Sequence, residues 1–277
     1  MSIDLEDWFC VYNFEGVIPR DQWASLDSRV ERNTTALLDL FDRYRVKATF
    51  FVLGWVAERH PDLIREVERR GHELATHGYS HRLITKMTQT EFEQDLARSL
   101  ETLARISSQR ILGFRAPSFS VTEKTLWSHL IMARFGLVYD SSVYPIGMHP
   151  DYGIATAPLE PYRTDSGVLE IPMSCVEIAG KRIPCSGGGY FRLFPYPVTR
   201  KLLSMCNKQG RPVVFYLHPW EIDPQQPRVP VSRMKAFRHY NNLHRTLDRM
   251  DQLLSDFRFD TMRACFLSQT QSLPAVG

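Results

Sequence analysis

Residues 47–54, Lys-Ala-Thr-Phe-Phe-Val-Leu-Gly, restrict what this chain can fold into more than any other stretch. Their apolar run is continuous, and Gly54 ends it. A strand with one wet face alternates apolar and polar residues. A run without that alternation is buried on both faces, as a parallel strand is under covering helices. The flanking sequence agrees. Before it, Asn33 or Thr34 can cap a helix that carries Leu37, Leu38, Leu40, Phe41 and Tyr44 at helical spacing. After it, residues 55–70 read as helix, with Pro61 at a first-turn position and Leu63, Ile64 and Val67 inward.

The alternation continues along the chain. Residues 2–5 read as a short strand, or as the end of one that begins upstream, and residues 10–32 as an irregular excursion. Residues 73–76 form a strand after Gly71, and Thr88-Gln89-Thr90-Glu91 is a capping box before a helix carrying Phe92, Leu96, Leu100 and Leu103. Residues 111–114 and 137–140 are strands around a helix that runs from Thr122 to about Phe135 and closes at Gly136. Residues 143–168, rich in Pro, Gly and Tyr, read as a long loop over a site, and residues 168–173 as a strand carrying Glu170. Gly187-Gly188-Gly189-Tyr190 reads as a flexible turn; no Gly-Lys-Ser/Thr follows, so it is no phosphate loop. A helix over 197–209, a strand over 212–217, one long helix over 232–256 and a frayed tail over 268–277 complete the pattern. Strand–helix alternation implies an α/β fold with a parallel sheet or barrel. With 277 residues and no internal repeat or low-complexity linker, a single domain over 1–277 is expected.

Composition narrows the function. A net charge of +3 with both signs interspersed gives no reason to expect nucleic acid or an anionic membrane as partner. Five cysteines, scattered and without C-x-x-C spacing, read as reduced thiols. No apolar run approaches the roughly 20 residues of a transmembrane helix, and the first residues are acidic rather than apolar. No integral membrane segment and no secretory signal are therefore expected, and the cytoplasm is the expected location.

Chemistry gathers at strand ends. Asp4, His77, Arg115, Asp140 and His218 each sit at or just after the C-terminal end of a predicted strand, the rim where barrel enzymes collect catalytic groups. Within Gly71–His81, His77 and His81 have three residues between them, so both imidazoles can reach one point. Alone, such a pair among nine histidines is an ordinary loop feature. With a carboxylate it becomes a two-His, one-acid site for a divalent metal with open positions, which lowers the pKa of a water and polarises a carbonyl. Asp4, Glu6 and Asp7 offer that carboxylate and a second one to take the water's proton, and His218 can protonate a leaving amine. The set suits hydrolysis of an amide or ester.

Five blocks in order then resemble the NodB-homology polysaccharide deacetylases (carbohydrate esterase family 4): residues 4–7 (Asp-Leu-Glu-Asp), 77–81 (His-Gly-Tyr-Ser-His), 115–117 (Arg-Ala-Pro), 170–172 (Glu-Ile-Pro) and 217–219 (Leu-His-Pro). Residues 113–120, 187–192, 218–221 and 237–243 resemble the exosortase-associated subgroup found with exopolysaccharide synthesis. The likeness covers roughly residues 2–263. It implies a distorted (β/α) barrel of about seven parallel strands, with residues 230–265 as a helical extension typical of the subgroup. It also implies N-deacetylation of an N-acetylated oligo- or polysaccharide, and association with exopolysaccharide synthesis machinery. The implied metal is zinc, with cobalt, nickel or manganese as alternatives. His77 and His81 would be its ligands, Asp4 the base, Arg115 the residue that holds the base, His218 the acid, and Glu170 an acid that could orient His218. The family's usual adjacent Asp pair is here Asp4, Leu5, Glu6, Asp7. Asp4 as base with Glu6 as ligand is favoured, since alternate strand residues share a face. Asp7 as ligand stays open, with either Asp4 or Glu6 as base. Tyr190 or Phe119 could floor a sugar subsite or simply pack. Two other readings stand beside this one: a metal-independent amidohydrolase of the allantoinase kind, and a glycan-binding protein without turnover.

Overall fold

The computed structural model describes residues 1–147 and 152–267. The strands that pair in parallel are short and buried at every position, and helices or turns carry the chain from one to the next. The chain runs β1 (Ser2–Leu5), α1 (Val30–Tyr44), β2 (Thr49–Val52), α2 (Gly54–Arg59), α3 (Pro61–Arg69), β3 (Glu73–Thr76), α4 (Gln89–Ile106) and β4 (Gly113–Phe114). It continues through α5 (Ser128–Arg134), β5 (Tyr139–Asp140), β6 (Tyr162–Arg163), β7 (Leu169–Glu170), β8 (Cys175–Ile178) and β9 (Lys181–Pro184). The last elements are α6 (Gly188–Leu193), α7 (Tyr196–Lys208), β10 (Tyr216–Leu217), α8 (Arg233–Tyr240) and α9 (Thr246–Asp256).

The main sheet has eight strands in the order β10-β1-β2-β3-β4-β5-β7-β6. All neighbours pair in parallel except the edge strand β6, which runs antiparallel to β7. The sheet is thus a curled α/β half-barrel whose two edges are not bonded to each other. β1 lies between β10 and β2, which brings the start and end of the chain together in register, Ile3 beside both Leu217 and Phe50. The residues 47–54 run holds the centre: Phe50, Phe51, Val52 and Leu53 are fully buried. On one side, α1 buries Leu37, Leu38 and Phe41. Each such side chain contributes about 1.5–3 kcal/mol of burial.

Several predicted elements differ in detail. The helix expected over 55–70 breaks at His60, whose φ −125 and ψ 54 are non-helical. Pro61 has no N–H to continue the ladder and disfavours helix at the residue before it. The helix expected from Thr122 is turn until Ser128. The long helix expected over 232–256 is two, α8 and α9, separated by a short helical turn, Leu243–Arg245. Asn242 takes a left-handed φ of 54 there and its side-chain amide donates to the Arg192 carbonyl (2.8 Å), so a tertiary contact sets the break. The strands β8 and β9 form a hairpin off the main sheet across Ala179-Gly180, both at positive φ (51 and 72). A two-residue turn of that hand suits a hairpin, but Ala at its first position is a weak sequence signal. The tail expected over 268–277 lies outside the described residues.

Candidate active site

The loop after β3 presents two histidines. Gly78 has φ 72, and a Cβ there would sit 2.9 Å from Asp95 Oδ2, so glycine is required on both counts. Asp95, from α4, explains the tight fit: its carboxylate accepts from the backbone N–H of Tyr79 (2.7 Å) and Ser80 (3.1 Å) and from the Ser80 hydroxyl. His77 is buried, and its Nδ1–H donates to the Arg115 carbonyl at 2.8 Å. A carbonyl only accepts, so the proton sits on Nδ1 and Nε2 keeps its lone pair. Burial, outweighing nearby acids, holds this imidazole's pKa at about 4, neutral in the physiological range. His81, four residues on, has its ring centroid 5.3 Å from that of His77.

The three acids of the first strand end diverge. Glu6 joins the histidines: its Oε2 lies 2.6 Å from His81 Nε2, and Glu6, His77 and His81 each bring a donor atom within 4.8 Å of the others. Yet Oε2 is buried and has no aligned hydrogen-bond donor. Burial raises the Glu6 carboxyl, but His81, His218 and His77 together outweigh it and hold the pKa at about 2. Asp4 points to Arg115 instead. That guanidinium is fully buried, donates to Asp4 Oδ1 at 2.7 Å and to Ser2 Oγ at 2.8 Å, and is braced by Ser141 and the face of Phe51. Such a charge-assisted pair keeps a carboxylate fixed in position. Asp7, the open alternative for the ligand, turns away. It accepts from the backbone N–H of Trp8 (2.8 Å) and Arg29 (3.1 Å) and from Ser28 Oγ (2.6 Å), and so caps the start of α1. Those donors occupy the oxygens a metal would need, and Asp7 is absent from the histidine cluster.

His218, just after β10, faces the same acids from the other side, with Nε2 3.8 Å from Asp4 Oδ2 and 3.6 Å from Glu6 Oε1. The acid that holds it is Glu221, whose Oε2 lies 3.2 Å from His218 Nδ1. Glu170 does not hold it. The Glu170 carboxylate accepts from the N–H of Ser142 and Val143 and turns to His129, away from the cleft. Glu221 reaches His218 because Pro219–Ile222 is a helical turn that brings a residue three positions on back over the imidazole. Arg192 fixes Glu221 from behind (Nε to Oε1, 3.0 Å; both buried) and donates to the carbonyls of Arg238, His239 and Asn241. Gly188 makes room, since a Cβ there would sit 1.7 Å from Glu221 Oε2; the expected flexible turn is thus the start of α6, with glycine required by close approach. Burial lowers the His218 pKa, but Glu221, Glu6 and Asp4 outweigh it and raise it to about 9. Trp220 stacks between His218 (5.1 Å) and His239 (4.2 Å) and donates its Nε1–H to Glu6 Oε1 at 3.1 Å.

Asp4, Glu6, His81, His218, Trp220 and Glu221 share one cleft of about 410 Å³. Phe119 and Tyr190 line its wall. Phe119 is buried and packs edge-on against Tyr144 and Tyr216, while Tyr190 is half-buried and stacks loosely on Phe194. Sequence reasoning missed Glu221, Arg192 and Asp95. A carboxylate three residues after a candidate acid was visible in His218-Pro219-Trp220-Glu221. Nothing local signals Arg192 or Asp95.

Most of the chain resembles known proteins. Residues 20–137 match the family described as polysaccharide deacetylase, and residues 141–267 match a domain of unknown function, DUF3473. The first segment holds His77, His81 and Arg115, the second holds His218 and Glu221, and Asp4 and Glu6 precede both. A peptidoglycan-N-acetylglucosamine deacetylase of Bacillus cereus is 31% identical over 93 residues, which is 34% of this chain and 34% of that protein. A peptidoglycan deacetylase of Helicobacter pylori is 30% identical over 116 residues, 42% of this chain and 37% of that protein. The aligned part thus spans little more than a third of these relatives' length. A crystal structure of a putative polysaccharide deacetylase from Mycobacterium smegmatis superposes with a TM-score of 0.63 at 19% identity, covering 100% of this chain and 92% of that one, a likeness of fold.

Proposed function

We propose, from the polysaccharide deacetylase family that these matches support, that this chain hydrolyses the acetamide of an N-acetylated sugar in a polysaccharide. The observation that carries the reading is convergence: a held carboxylate, a two-imidazole, one-carboxylate donor set and a carboxylate-paired histidine meet at one cleft.

The residues fit a divalent metal of the zinc kind. His77 has its Nε2 lone pair free, and Glu6 Oε2 is a buried oxygen without a hydrogen-bond donor, beside His81. Glu6, His77 and His81 would hold the ion. When bound, it would polarise the acetamide carbonyl and lower the pKa of a water. Asp4, held by Arg115, takes the water's proton as oxygen adds to the acetamide carbon. His218 gives a proton to the sugar nitrogen as the carbon–nitrogen bond breaks, leaving acetate and a free amine. Glu221 keeps the imidazole oriented. Our reading extends to a bacterial exopolysaccharide as the polymer, with the synthesis machinery as neighbour. What supports it is the subgroup text in residues 187–192, 218–221 and 237–243, all within the 141–267 match.

The test is acetate release from N-acetylglucosamine oligomers by zinc-loaded protein and its His218→Ala variant. The expected drop is about 10²–10⁴-fold in kcat with glycan binding retained. Undiminished release by the variant would overturn the role of His218. Glycan binding by the parent chain with no acetate release would make this a binding protein.

A further inference from the structure

A second cluster lies outside the cleft and takes no part in the proposed hydrolysis. His129 of α5, Asp140 at the end of β5 and Glu170 at the end of β7 are all buried, at 3%, 0% and 0% exposure. His129 Nε2 lies 3.1 Å from Asp140 Oδ2 and 3.4 Å from Glu170 Oε2. Each acid uses its other oxygen on fixed donors. Asp140 Oδ1 accepts from the Ser142 hydroxyl, and Glu170 Oε1 accepts from the N–H of Ser142 (3.2 Å) and Val143 (2.9 Å). The oxygens aimed inward are thereby held in place, and Glu170 Oε2 has no hydrogen-bond partner.

We infer that His129 Nε2, Asp140 Oδ2 and Glu170 Oε2 bind a second divalent cation, of the zinc or cobalt kind, in a structural role. A tetrahedral ion with bonds of about 2.0–2.1 Å to nitrogen and oxygen separates its ligand atoms by about 3.3 Å. The two separations from His129 bracket that value. Charge agrees as well. A neutral imidazole, two carboxylates and a dication sum to zero, which a fully buried site requires. The ion would tie α5 to β5 and β7 and order residues 141–143. Ser141 there braces Arg115, and Ser142 accepts from the N–H of Ala116. The site would therefore support Arg115 from behind the sheet.

The test counts metal in a chain whose cleft ligands are removed. Protein carrying His77→Ala and His81→Ala is stripped with a chelator, reloaded with zinc and measured by elemental analysis. One zinc per folded chain is expected, falling to none when Glu170→Gln is added. No zinc in the His77→Ala, His81→Ala protein overturns the inference, as does one zinc that persists after Glu170→Gln. Should the Glu170→Gln protein fail to fold, cobalt loading of the His77→Ala, His81→Ala protein decides. Visible absorption from cobalt bound by nitrogen and oxygen supports the site, and its absence overturns it.

Discussion

Two clusters of nearly the same chemical make-up sit at strand ends of one sheet. Glu6, His77 and His81 combine one acid and two imidazoles; His129, Asp140 and Glu170 combine two acids and one imidazole. Both are buried, and both hold a carboxylate oxygen without a hydrogen-bond partner. They differ in what stands opposite. Across the first lie a cleft, the Asp4–Arg115 pair and His218, which can receive and give protons. The second is held by backbone N–H groups and Ser142 and does not line that cleft. Donor type and proximity alone therefore do not distinguish a reactive site from a structural one. Access to a substrate-sized space with proton carriers on its far side does.

The contrast can be broken by exchanging effects. Glu6→Gln should abolish acetate release by about a thousandfold, roughly 4 kcal/mol of transition-state stabilisation, through loss of a metal ligand. Thermal midpoint should hardly move, and a large loss of stability with little loss of rate would make the first cluster the structural one. Asp140→Asn should do the reverse. Removing one charge from a buried set costs about 3 kcal/mol of stability, read as a lower urea midpoint, with acetate release per folded molecule retained. A variant that folds with full stability but no activity would move the second cluster into the mechanism. The smallest effect sharpens the choice between adjacent acids. Asp7→Asn should cost about 1 kcal/mol through a weakened helix start, with zinc content unchanged. Loss of zinc on that substitution would make Asp7 the ligand.

Much of the fold was legible because burial leaves a periodic mark. The uninterrupted 47–54 run, the helical spacing of Leu37 to Phe41 and the capping box at Thr88 each found their element, and β3 spans the predicted residues 73–76. The errors fell where long-range contacts overrule local pattern. Asn242 interrupts a helix because its side chain binds Arg192, 50 residues away. The Gly187–Gly189 run looked flexible, yet Gly188 begins a helix pressed against Glu221. In the site, the histidine pair and Arg115 were visible as motifs, but the partner of His218 was not Glu170. A strand-end acid appears in sequence without the direction its carboxylate takes.

The sequence by itself determined that strands alternate with helices in a parallel sheet, and that Asp4, His77, Arg115 and His218 would gather at one set of strand ends. These follow from hydrophobic periodicity, which is local and survives in any window of the chain. Only the tertiary structure decided that Glu6 rather than Asp7 faces the histidines, that Glu221 rather than Glu170 holds His218, and that Asp140 and Glu170 form a buried cluster with His129. Each choice depends on where a neighbouring strand or helix places its donors. Arg115 meets Asp4 across 111 residues and Arg29 draws Asp7 aside across 22. Side-chain direction is set by partners that lie far along the chain and close only in the folded molecule.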